Sequence, residues 1–134
     1  MARWHLVSLP HTQTTSEYCS CAYTSKVVKL ARMMMARGHE IILYSGEENE
    51  APCTEHHVIV SHREQRKWFG KKNLQAMYPI TWSPQDEHWQ TTNKRVIREV
   101  KRQLRTGETS KHDHVLVIAG TCNQQIDYGI PNLC

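Results

Sequence analysis

Residues 27–44, VVKLARMMMARGHEIILY, carry an amphipathic helix through a single glycine into an unbroken apolar run. Tyr23, Val27, Leu30, Ala31, Met34 and Met35 recur at the i, i+3, i+4, i+7 spacing of one helix face, while Lys26, Lys29 and Arg32 fall opposite. Gly38 stands where a left-handed residue closes such a helix. EIILY at 40–44 shows no polar alternation, the pattern of a strand covered on both faces. WHLVSLP at 4–10 is a similar run, closed by proline, on the other side of the helix. Strand, crossover helix and strand in that order give two parallel strands, because such connections close on a sheet in one hand only.

The rest of the chain extends the pattern. EHHVIVS at 55–61 reads as a third strand and REQRKWF after it as a short helix. Residues 73–83, with Tyr78, Pro79 and Trp82, read as a connecting loop. Ser83 before Pro84 opens a long helix carried to about residue 105, serine as N-cap and proline at the first helical position. GETSKHD at 107–113 reads as polar linker, and HVLVIAG at 114–120 as a fourth buried strand. The order β-α-β-β-α-α-β over 134 residues predicts one α/β domain, a three-layer Rossmann-like sandwich on a mostly parallel sheet.

Composition narrows the function classes. With 39% hydrophobic and 22% charged residues and no apolar run of spanning length, the sequence has no integral membrane segment. MARWHLVSLPHTQ reads as a strand rather than a secretory signal, so a cytoplasmic location is the default. Cys19, Cys21, Cys53, Cys122 and Cys134 fit neither a disulfide framework nor a zinc site, so reduced thiols and no bound metal are expected. The net charge of +4 concentrates in HREQRKWFGKK at 62–72 and NKRVIREVKRQLR at 93–105. In the second cluster Lys94, Arg98, Lys101, Arg102 and Arg105 share one helix face, and Ile97, Val100 and Leu104 another. That basic face is either a solvated surface or a site for a phosphate-rich or membrane-surface partner. Without interleaved aromatics it is a poor match for nucleic acid.

Ligands of open parallel sheets bind beyond the carboxyl ends of the strands. Two loops leave the sheet there: HTQTTSEYCSCAYT after the first strand and GTCNQQ after the fourth. His11, Thr12, Gln13, Thr14 and Thr15 lie before the first helix, where free backbone N–H groups suit an anionic or hydroxyl-rich ligand; alternatively these residues only cap the helix and close the turn. The two loops are expected to line one concave surface, with His11 and Gln124 on its rim. GxGxxG and GxxxxGK[ST] are both absent, which disfavours dinucleotide enzymes and P-loop kinases. No G-x-S-x-G elbow is present, and Ser8 and Ser61 are weak nucleophiles by position, which disfavours hydrolases. Among nine histidines, His11, His56, His57 and His62 are candidates for a general base, most histidines being expected at the surface.

LPHTQTT, CAYTSKVVKLARMM, RGHEIILYSGEENE and VIAGTCNQQI together resemble the N-terminal Rossmann-like domain of GT-B glycosyltransferases of the glycosyltransferase-4-like group found in bacteria and phages. The resemblance is strongest over residues 5–50 and 114–130. It implies transfer of a sugar from a nucleotide-sugar donor to a sugar, lipid-linked or protein acceptor, without a cofactor. It further implies that a second, C-terminal domain absent from this chain holds most of the donor, so that the chain is a truncated unit lacking the donor-binding domain. Carried over by position, His11 is the catalytic base, and Thr12, Gln13, Thr14, Gly120, Thr121 and Gln124 line the substrate cleft. The alternative is a non-catalytic Rossmann-like binding module that uses its basic helix.

Overall fold

The computed structural model describes residues 1–70, 73–75 and 85–117. Along the chain come β1 (Arg3–Val7), α1 (Ala22–Ala36), β2 (Glu40–Gly46), β3 (Glu55–Val60), α2 (His62–Phe69), α3 (Glu87–Gln103) and β4 (Asp113–Val117), with short 3₁₀ turns at Ser16–Tyr18 and Gly107–His112. The strands make one sheet in the order β3-β2-β1-β4, and every pair is parallel. The fold is therefore α/β and Rossmann-like, its strand order matching the first four strands of a doubly wound sheet. Among the described residues no helix is long and apolar enough to cross a membrane.

Side-chain alternation along the strands builds two cores. Leu6, Ile41 and Leu43 point to one face and pack with Val27, Val28 and Ala31 of α1. Val7, Ile42, Tyr44 and Val115 point to the other, where they meet Val96 and Val100 of α3. α1 thus covers one face and α3 the other, as a doubly wound connection requires. α1 ends as its sequence indicates: Gly38 has φ of +83°, its N–H donates to Met35 O (3.0 Å), and the His39 N–H donates to Met34 O (3.1 Å). These paired bonds form a Schellman closure.

Several boundaries differ from expectation. β1 stops at Val7 instead of reaching Pro10, whose nitrogen has no proton for a ladder. β2 runs on to Gly46, where its pairing with β3 slips at Ser45/Gly46. The stretch expected as polar linker is a 3₁₀ turn, and β4 begins at Asp113. α3 begins at Glu87 after Asp86 as N-cap. Ser83 and Pro84 lie outside the described residues, as do Tyr78, Pro79, Trp82 and positions 118–120 of the fourth strand.

The expectation of mostly surface histidines is corrected for three of them. His5 is fully buried, and His11 and His88 nearly so. His5 Nδ1 and the Tyr44 hydroxyl are 2.9 Å apart, with Asp113 on the other side of the ring at 3.7 Å. His11 and His88 both pack on Phe69, at ring separations of 6.0 and 4.9 Å. An aromatic surface accommodates a neutral imidazole as it would another apolar ring.

Candidate functional site

β1 lies between β2, reached through α1, and β4, reached through α3. The sheet therefore reverses its winding between β1 and β4, and a crevice opens at the carboxyl ends of such a pair. Val7 pairs with Val117 in parallel register, so β1 and β4 run side by side towards the same edge. Gly120, Thr121 and Gln124, expected on the β4 side of the crevice, lie outside the described residues.

On the β1 side, the loop from Ser8 to Thr15 is buried throughout. The exposed rim expected there is corrected, for a physical reason: the polar side chains of Thr12, Gln13 and Thr14 are consumed internally. Gln13 Nε2 donates to Gln65 Oε1 (2.6 Å), and Gln13 Oε1 accepts from the Glu48 backbone N–H (2.8 Å). Gln65 Nε2 reaches the carbonyls of Pro10 (3.0 Å) and Thr12 (3.2 Å). The Thr14 hydroxyl donates to Asn49 Oδ1 (2.6 Å), and the Thr24 hydroxyl to Thr12 Oγ1 (2.8 Å). The Glu50 N–H donates to Thr14 O (2.8 Å), so the loops after β1 and β2 continue the sheet by one parallel bridge, Thr14 to Asn49. Buried polar groups require such partners, since each one left bare costs on the order of 1–3 kcal/mol.

Gly46 makes this closure feasible. A Cβ at that position would lie 2.3 Å from Gln13 Oε1 and 2.8 Å from its Cδ, so only glycine lets the Gln13 amide lie against β2.

His11, the expected base, is 7% exposed. Burial lowers its pKa from 6.5 to about 4, with a smaller contribution from His88. The ring is neutral at pH 7 and weakly basic. His56, another candidate, places Nε2 2.8 Å from Ser45 Oγ, and its pKa is also lowered by burial. His57 contacts Glu55 (3.1 Å), and His62 lies 3.7 Å from Glu47 and 3.9 Å from Glu48.

The basic face expected on α3 is only partly available. Arg98 and Arg102 both lean on Glu99, at 3.4 and 3.3 Å. Arg105 leaves the face entirely, binding Asp113 through its side chain at 2.5 Å and through its backbone N–H at 2.8 Å. Burial opposes ionisation of Asp113, but these bonds outweigh it and hold the carboxyl below its usual range. Cys19, Cys21 and Cys53 are free thiols, and among the described residues no group of His, Cys, Asp and Glu side chains is arranged to hold a metal.

Sequence reasoning missed Gln65, which organises the loop. Hydrophobic periodicity passes over an inward-facing glutamine in a helix as polar as α2. The signal available was local: S-H-R-E at 61–64 is a capping box, with the Glu64 N–H donating to Ser61 Oγ and the Ser61 N–H to Glu64 Oε1, both at 3.1 Å. It fixes where α2 starts, and so which residue faces Gln13. Comparison of the chain with protein-family models, with curated proteins and with solved structures finds no match.

Proposed function

We propose that the chain is the acceptor-side Rossmann-like unit of a glycosyltransferase that moves a sugar from a nucleotide-sugar donor to an acceptor hydroxyl. The observation that carries this reading is the β1/β4 pair: two neighbouring parallel strands run to the same edge where the winding reverses, with the LPHTQTT segment following the first. The absence of glycine-rich phosphate loops in the sequence turns the reading away from dinucleotide chemistry. In this scheme the inward-turned Thr12, Gln13 and Thr14 are scaffold that seats His11, and a second Rossmann-like domain takes the donor's diphosphate.

His11 is the base in this proposal. As a neutral imidazole it is able to accept the hydroxyl proton while the bond from the acceptor oxygen to the anomeric carbon forms and the nucleoside diphosphate leaves. The test is transfer by the complete gene product, offered a panel of nucleotide sugars and glycosides, with nucleoside diphosphate release and the mass of the product as readouts. Release that depends on acceptor, and falls by about 100-fold or more in His11→Gln, supports the proposal. No release with any donor rejects it. The alternative of a basic binding module is weakened by the loss of Arg105 to Asp113 and the pairing of Arg98 and Arg102 with Glu99.

A further inference from the structure

We infer that the polar pocket between α2 and the 3₁₀ turn at Ser16–Tyr18 binds a single neutral sugar ring. The pocket has a volume of about 260 Å³ and is lined by Tyr18, His62, Gln65, Arg66, Asn73 and Gln75, with Leu74 and Gly70 completing it. It lies at the carboxyl edge of the sheet, since the turn follows β1 and α2 follows β3. None of these side chains belongs to the loop set His11 to Thr14.

The pocket is built rather than incidental. Its floor, Gln65, is fixed by its bonds to Pro10, Thr12 and Gln13. Its far wall is tied to the 3₁₀ turn and to the residues just after it: Gln75 Nε2 donates to Glu17 Oε2 (3.0 Å), and the Ser20 hydroxyl donates to the Gln75 carbonyl. The Gln75 N–H in turn donates to Asn73 Oδ1 (3.1 Å).

Size and charge select the occupant. Pockets for drug-sized ligands run from about 300 to 1,000 Å³, so this one suits a single ring. The Asn73 amide nitrogen, the Tyr18 hydroxyl and the Arg66 guanidinium have no hydrogen-bond or ion-pair partner among the described residues. They offer several donors around one amphipathic aromatic ring, a lining suited to a hydroxyl-rich ligand. An anionic ligand would be opposed. Burial first, and then Glu48 and Glu17, raise the Tyr18 hydroxyl's pKa, and Glu47 and Glu48 stand beside His62. Three carboxylates beside a lining that holds one arginine leave a field that discourages phosphate or carboxylate.

The chemistry of the occupant rests on the pocket alone; its role as acceptor rests on the glycosyltransferase reading. The probes are methyl glucoside, methyl galactoside and methyl mannoside, with glucuronate and a sugar phosphate as charged counterparts, titrated against the full chain while amide resonances of Tyr18 and Gln75 are followed. At least one neutral glycoside should saturate with Kd of about 1 mM, more tightly than either charged probe. Tyr18→Phe should weaken it about fivefold, with the thermal midpoint unchanged. Arg66→Leu, an exposed substitution, should weaken it comparably. No saturation, tighter binding of the charged probes, or saturation indifferent to both variants overturns the inference. Transfer by the complete gene product with acceptor KM unaltered in both variants overturns the pocket while leaving the glycosyltransferase reading in place. Glycoside binding without transfer supports the pocket and counts against that reading.

Discussion

Gln13 and Gln65 meet amide to amide at 2.6 Å with both side chains almost wholly excluded from solvent. Between them they use three further partners, the Glu48 N–H and the Pro10 and Thr12 carbonyls, and they fill the space left by Gly46. Gln65→Ala is expected to destabilise the protein by about 2–4 kcal/mol, because it strands two carbonyls and the Gln13 amide at once. Urea denaturation measures the loss. In a double-mutant cycle, Gln13→Ala and Gln65→Ala should be strongly non-additive, since either change alone breaks the shared bond.

Gly46→Ala is expected to cost about 1–3 kcal/mol through the collision with Gln13. Adding Gln13→Ala should recover part of that loss, which a comparison of the single and double variants by urea midpoint would reveal. A purely conformational cost at position 46 would show no recovery.

Stability should fall with acid. Burial first, and then Arg3, lowers the His5 pKa to about 4, while Asp113 pulls the other way; His11 is lowered to about 4 by burial and His88. Each folded pKa lies below the usual 6.5, so the unfolded chain takes up the proton first. The contribution is complete above pH 6.5 and is lost as the pH falls through 6.5 towards 4, on the order of 3 kcal/mol per ring. Chemical denaturation between pH 7 and pH 4 measures the slope, and His11→Gln should flatten it.

Arg95 grips Glu64 at 2.7 Å and donates to the Ile59 carbonyl at 3.0 Å, tying α3 to the start of α2. The Arg95 hydrogen bond, with Ser61 assisting, holds the Glu64 pKa down to about 2. Arg95→Met should cost about 1–2 kcal/mol at pH 7. Because the Glu64 pKa is lowered on folding, that difference should shrink as the pH drops below 4.5 towards 2. Thermal melts at a series of pH values supply the test.

The strand–helix–strand unit, the closing role of Gly38 and the parallel sheet were legible because they rest on patterns within a few residues: apolar runs, helical spacing and a terminal glycine. The long basic helix was legible as a helix, but its inner face was not. His88, Trp89, Thr92 and Asn93 are buried on it alongside Val96 and Val100, and the polar members of that set carry no apolar signature. The site shows the same limit. That the loop after β1 leaves the edge shared with β4 follows from chain direction alone. That Thr12, Gln13 and Thr14 turn inward depends on Gln65, Asn49 and Glu48, whose nearness only the folded chain creates. A threonine-rich segment reads equally well as a ligand surface or as a buried seam until its partners are known.

The two glutamines stand 52 residues apart in sequence. Their bond therefore cannot form until β2, β3 and α2 have all docked, and contacts of such long separation come late in folding. During synthesis, the loop after β1 emerges with its hydrogen-bonding groups unanswered and stays so until residue 65 has cleared the ribosome. The edge of the sheet where a ligand would sit thus takes its shape from a helix made well after the loop it holds.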